Sequence, residues 1–87
     1  MAVDVCGEFQ KSYAARPVCF GTAPSRWLEW CLERGAPPGG AALDLGSGCG
    51  RNALHLARRG FDVTALDAAP AAVAHLCRGA AREGLNV

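Results

Sequence analysis

Three glycines at alternate positions, Gly46, Gly48 and Gly50, follow directly on a short apolar run and precede an amphipathic one, and that order leaves few folds open. Ala41 to Leu45 carries one charge, Asp44, and ends in the glycine turn, which predicts a central strand buried on both faces. From Arg51 to Arg59, at 100° per residue, Ala53, Leu54, Leu56 and Ala57 share one arc. Arg51, Asn52, His55, Arg58 and Arg59 share the other, so this is a helix with its back to a sheet. Gly60 stops it, and Phe61 to Leu66 follows as a second strand rich in β-formers, with Asp67 at its carboxyl end. Strand, glycine turn, helix, strand and acid make a βαβ unit. Its crossover is expected to be right-handed and its strands parallel, with turn and acid at the carboxyl edge where ligands bind.

The flanks extend this unit. Ser25 is placed to cap a helix through Trp27, Leu28, Cys31 and Leu32, which share one face. Gly35 ends it, Pro37 and Pro38 forbid its resumption, and Gly39 and Gly40 complete a connector. Pro70 suits the first turn of a further helix, in which Val73, Leu76, Cys77 and Ala80 form an apolar stripe and Gly84 forms the exit. Ala69, which precedes it, offers no capping side chain, so that helix start is expected to fray. Leu85 to Val87 reads as the beginning of a third strand, while residues 1–22 are irregular. The expected architecture is α/β: a Rossmann-like doubly wound parallel sheet, truncated to its first two to three strands and their helices. Residues 1–40 form an amino-terminal segment and helix covering the ligand site, and 41–87 the first half of the ligand-binding domain.

A chain of 87 residues, 51% hydrophobic and 20% charged, has the composition of a globular protein and not of a disordered tail. At this size it buries only about 60 to 65% of its unfolded surface, so its stability is expected to be thin. Nine basic residues are interleaved with eight acidic ones for a net charge of +1, which argues against direct nucleic-acid binding. The five cysteines are scattered, without the spacing a metal needs, and are expected to be free thiols in a reducing compartment. Residues 1–20 hold neither a signal-peptide core nor a membrane span, so the expected location is the cytoplasm, without membrane association.

In the turn the glycines permit a tight bend, let a ligand approach the backbone, and let the following helix pack closely. Asp67 stands about twenty residues after the first glycine, where a carboxylate can accept both hydroxyl hydrogens of a ribose, so the ligand is expected to be a nucleoside. A dinucleotide fingerprint spaces its glycines G-x-G-x-x-G, with the pyrophosphate on the helix amino terminus. Here the third glycine comes one residue early and Arg51 takes its place, which disfavours a nicotinamide or flavin protein.

Ala42-Leu-Asp-Leu-Gly-Ser-Gly-Cys-Gly50, followed by Val63-Thr-Ala-Leu-Asp67, resembles the first two motifs of class I S-adenosylmethionine-dependent methyltransferases. Gly50-Arg-Asn-Ala-Leu-His-Leu-Ala57, with Pro24 and Ser25 ahead of the first helix, resembles the tellurite-resistance type that acts on small molecules. The resemblance implies S-adenosylmethionine as cofactor and a cofactor-binding set of Asp44, Gly46, Ser47, Gly48, Gly50, Asp67 and Ala68. In that set Asp44 would help hold the methionine part, and Gly46 and Gly48 would line it with backbone. Asp67 would bind the ribose hydroxyls, and Ala68 would lie along the adenine edge. Tyr13 or Phe9 would close over the cofactor. The later motifs of such enzymes, which build most of the acceptor pocket, are absent, so no catalytic residue and no metal ligand is assigned.

Each of these residues also has a plainer reading. Asp44 could cap the turn's amides without touching a ligand. His55 and His75 lie opposite the apolar arcs of their helices and are expected at the surface. Cys49 is read as a small residue tolerated in the turn, Trp27 and Trp30 as packing residues, and Arg51 as a solvated helix-start residue within reach of a cofactor carboxylate. Two or three strands with about two crossover helices leave an apolar edge bare. Besides the small-molecule acceptor, the expected partners are therefore a second copy or a complementing chain, and a non-catalytic, partner-dependent module is the alternative to an enzyme part.

Overall fold

The computed structural model describes Lys11 and residues 21–87. Along the chain run α1 (Arg26–Glu33), β1 (Gly40–Leu45), α2 (Arg51–Arg58), β2 (Phe61–Leu66) and α3 (Pro70–Glu83). Among the described residues β1 and β2 form one two-stranded parallel sheet, paired from Gly40 with Phe61 to Leu45 with Leu66. Equal lengths and an unshifted register bring both strands to an end side by side, so the glycine turn and Asp67 emerge at one edge.

The core lies on one side of this sheet. Ala53 of α2, Phe61 and Val63 of β2 and Leu76 of α3 are buried together, and Leu32, Ala42, Leu56, Ala65 and Val87 pack around them. The period of two explains the strand choice: Phe61, Val63 and Ala65 point inward, and Asp62, Thr64 and Leu66 point outward. The opposite face is bare, with Leu43, Leu45 and Leu66 respectively 59, 71 and 51% exposed. β1 is therefore not buried on both faces, contrary to its apolar sequence, because both described crossover helices cover the same face.

Helix ends follow their sequence signals with one substitution of roles. Ser25 Oγ accepts the Leu28 N–H at 3.2 Å, and Gly84 leaves α3 with φ +65°. Ala69 offers no cap, yet the start of α3 is not left unsupported. The Asp67 carboxylate accepts the Ala69 N–H at 2.8 Å, and the Ala69 carbonyl accepts from Ala72 and Val73. The buried side of α3 is Ala72, Leu76, Gly79 and Ala80, so the expected stripe is rotated, with Val73 and Cys77 at its exposed rim. Leu85–Val87 do not form a strand, although the Val63 N–H donates to the Asn86 carbonyl at 3.4 Å and so touches the outer edge of β2.

α1 buries no residue completely. Its tie to the rest is the Ser25 N–H donating to Asn52 Oδ1 at 2.8 Å, with Leu32 against the core. Trp27 and Trp30 are not core packing residues: they stack on each other with centroids 5.1 Å apart, and the Arg34 guanidinium lies 4.5 Å over the Trp30 ring. Cys31, Cys49 and Cys77 carry thiols, while Cys6 and Cys19 fall outside the described residues.

Gly50 is closely packed. Its φ is +98°, and a Cβ there would meet Leu76 Cγ at 2.7 Å and Leu54 Cγ at 3.3 Å. The close approach that it allows is between α2 and α3 more than between helix and strand. Gly50→Ala should cost about 3 kcal/mol, from left-handed strain and overpacking together, read as a lower urea midpoint. An unchanged midpoint would mean that the turn rearranges freely.

Candidate functional site

The carboxyl edge of the sheet is built around two carboxylates and one turn. Gly46 and Gly48 have φ +69° and +57°, a left-handed geometry that glycine adopts without strain. The turn folds back on β2: the Gly46 and Ser47 N–H groups both donate to the Leu66 carbonyl, at 2.8 and 3.0 Å. The Gly50 N–H donates to the Ser47 carbonyl at 3.1 Å, and the Gly48 N–H donates to Asp67 Oδ2 at 2.8 Å. These four amides are thus engaged within the protein and do not form an open cradle for a pyrophosphate.

Asp67 binds backbone through both oxygens, Oδ2 to Gly48 and Oδ1 to Ala69. An ionised carboxylate has about four acceptor positions, so the remaining two are left for hydroxyl donors. Ala68 beside it is exposed at the strand tip.

Asp44 lies inside the edge, paired in register with Ala65 of β2. The N–H of Ala53 in the first turn of α2 favours its charged form, so the capping role is partly realised. Its Oδ2, however, is buried with no hydrogen-bond partner among the described residues, and so is the hydroxyl of Ser47. Burial holds the Asp44 pKa above the ordinary carboxylate value, the Ala53 N–H opposes this, Asp67 adds to it by repulsion, and Arg51 opposes it. An unpartnered buried carboxylate oxygen costs stability, and such atoms are few in native proteins.

The structure thus brings Asp44, Gly46, Ser47, Gly48, Gly50, Asp67 and Ala68 to one edge. Tyr13 and Phe9 lie outside the described residues. His55 and His75 are half-buried instead of fully exposed, and His75 stands on the side of its helix that faces Arg51 and Leu54. Asn52 was visible only as a polar residue on the outer arc of α2. Its bond to Ser25, which fixes α1 beside the site, had no local signal because the partners are 27 residues apart. Among the described residues no group of three or more His, Cys, Asp or Glu could hold a metal ion, and no helix is long and apolar enough to cross a membrane.

Because folding raises the Asp44 pKa, the folded state holds this proton more tightly than the unfolded chain does. The stability gained from the neutral acid is present below the unfolded value and lost as pH rises through the folded one. Asp44→Asn should therefore melt at a higher temperature than the parent at pH 7, with the difference closing below pH 3.8, the ordinary value. A lower melting temperature at pH 7 would show that the charged form is favoured in the fold.

The family profile described as Tellurite resistance protein TehB matches residues 36–87, more than half of the chain. A solved structure concerned with the conversion of a disulfide bond into a thioacetal group during echinomycin biosynthesis superposes with a TM-score of 0.78. Its identity is 32%, over 92% of this chain and 36% of that one. The crystal structure of TehB from Haemophilus influenzae gives a TM-score of 0.66 at 29% identity, over 90% of this chain and 26% of that one. A curated protein named Hemagglutinin 1, from Eikenella corrodens, is 58% identical over 43 residues, 49% of this chain and 14% of its own length. The chain therefore spans well under half the length of each of these relatives. With the glycine turn, the strand-end acid and the Rossmann-like order in place, the chain belongs to the TehB family of S-adenosylmethionine-dependent methyltransferases.

Proposed function

We propose that this chain is the part of a methyltransferase that binds S-adenosylmethionine, in an enzyme that methylates a small-molecule acceptor. The observation that carries the reading is the buried, unpartnered Oδ2 of Asp44, set at the same edge as Asp67. Two carboxylates at one strand edge suit a cationic ligand and repel a pyrophosphate. S-adenosylmethionine carries both an ammonium and a sulfonium, and when bound it supplies an electrophilic methyl group.

In this reading Asp44 accepts from the ammonium of the methionine part, and the backbone of Gly46 and Gly48 with the Ser47 hydroxyl lines it. Gly50 keeps the helix start free of a side chain. Asp67 uses its two remaining acceptor positions for the ribose hydroxyls, and Ala68 lies at the adenine edge. Arg51 stands beside the turn, where its guanidinium could take the cofactor carboxylate. Methyl transfer depends chiefly on proximity and alignment, so these residues need only bind and orient, and no general base is required of them. The scattered cysteine thiols support the cytoplasm as the compartment.

Titration calorimetry with S-adenosylhomocysteine tests the assignment. Binding is expected, with Asp67→Ala weaker by about a hundredfold or more, as two hydrogen bonds to a charged group would give. Circular dichroism on the variant controls for loss of the Gly48 and Ala69 contacts, and reduced nicotinamide dinucleotide should not bind. A folded chain that ignores S-adenosylhomocysteine would overturn the reading.

A second reading has its own observation. The bare face of Leu43, Leu45 and Leu66 favours a module that works only with another copy or a complementing chain. The chain should self-associate in analytical ultracentrifugation, and Leu45→Lys should shift it toward monomer. A parent chain that is monomeric and unfolds in one sharp transition would count against partner dependence.

A further inference from the structure

A second concave site lies between the two helices that follow the strands. Arg51, Leu54 and Arg58 of α2 and His75, Gly79 and Arg82 of α3 sit at spacings of three and four, so each helix turns one stripe toward the other. Between the stripes is a cavity of about 140 Å³, lined also by Thr22 and by Cys49 of the glycine turn. A single water needs roughly 10–15 Å³ of such space, so there is room for several waters or for one tetrahedral oxyanion.

The charges around this cavity do not balance. Three guanidinium groups face it against one carboxylate, Glu83. Arg58 is spent on that carboxylate, its Nε donating to Oε1 at 2.8 Å and its Nη2 to Oε2 at 2.6 Å. Arg51 and Arg82 have no hydrogen bond or close ion pair among the described residues, although Arg51 attracts Asp44 and Arg82 attracts Glu83 at longer range. Arg82 nevertheless folds inward: its Nη2 lies 3.9 Å from the point where a Cβ on Gly79 would stand, over the floor of the groove. That floor is apolar, since Leu54 Cδ1 lies 3.3 Å from the same point. An apolar floor beneath guanidinium forks without a hydrogen bond among the described residues strengthens their pull on an anion, and the planar fork of arginine suits oxyanions.

We propose that the groove between α2 and α3 binds a phosphate-type oxyanion, free or carried on a small molecule, through Arg51 and Arg82. The glycine at 79 leaves the floor open, and the ring N–H of His75 is a third donor on the groove wall. The groove shares Arg51 with the proposed cofactor site, whose other groups lie at the strand edge, whereas Arg82 belongs to the groove alone.

Nuclear magnetic resonance of the full chain, at constant ionic strength held with chloride, tests it. Titration with inorganic phosphate should shift the side-chain Nε–H signals of Arg51 and Arg82 saturably. Arg82→Gln should weaken binding by about tenfold, and Arg78→Gln, on an arginine outside the groove, should leave it unchanged. Both arginines are on the surface of α3, so neither change should alter the fold, and amide chemical shifts check this. A parallel titration with glycerol phosphate separates the two sources: tighter binding of the monoester marks a carried phosphate, and tighter binding of the free ion marks inorganic phosphate. Absence of saturation, or equal weakening by Arg78→Gln and Arg82→Gln, would overturn the proposal.

Discussion

The Asp67 carboxylate is the joint on which the site depends. One of its oxygens holds the Gly48 amide and the other holds the Ala69 amide, so a single side chain ties the glycine turn after β1 to the start of α3 after β2. Without it the turn would lose its link to the second strand at this point, and α3 would begin on a residue with no cap. The Leu66 carbonyl, one residue earlier, makes a similar tie by accepting two turn amides. The turn is thereby shaped by the end of β2 as much as by its own glycines. Charge at the site follows from the same arrangement, because what fixes the backbone is an acid placed beside a second acid, Asp44.

These two carboxylates also divide the molecule electrically. The strand edge gathers Asp44 and Asp67, and the outer helical groove gathers three arginines against Glu83. A net charge of +1 conceals this separation. The two sides favour ligands of opposite sign, and Arg51 stands where they meet, on the groove wall and within electrostatic reach of Asp44.

Much of the fold was legible in the sequence because its signals are local. Ser25, Gly50, Gly60, Pro70 and Gly84 mark ends through backbone geometry that each residue imposes on itself, and the period of two in Phe61, Val63 and Ala65 reports the buried face directly. What the sequence concealed depends on distant partners. The apolar run of β1 shows that its side chains are fit for burial, but not that Leu43 and Leu45 are left uncovered among the described residues. The rotation of the α3 stripe to Ala72, Leu76, Gly79 and Ala80 is set by the fit of Leu76 over Gly50, a contact across 26 positions. In the site, glycine spacing and the strand-end acid identified which residues meet. The occupied amides, the orphaned Asp44 oxygen and the support that Asp67 gives to α3 arise from three-dimensional geometry that spacing does not encode.

The stacked Trp27 and Trp30 give this molecule an unusual optical property. They are the only two tryptophans in the chain, and both stand on α1, a helix with no fully buried residue. Indole emission therefore reports on the docking and solvation of α1, whereas the far-ultraviolet signal reports on all the helices together. A discrepancy between the two during heating would describe the detachment of one helix beside the site, and fluorescence alone would misstate the stability of the sheet.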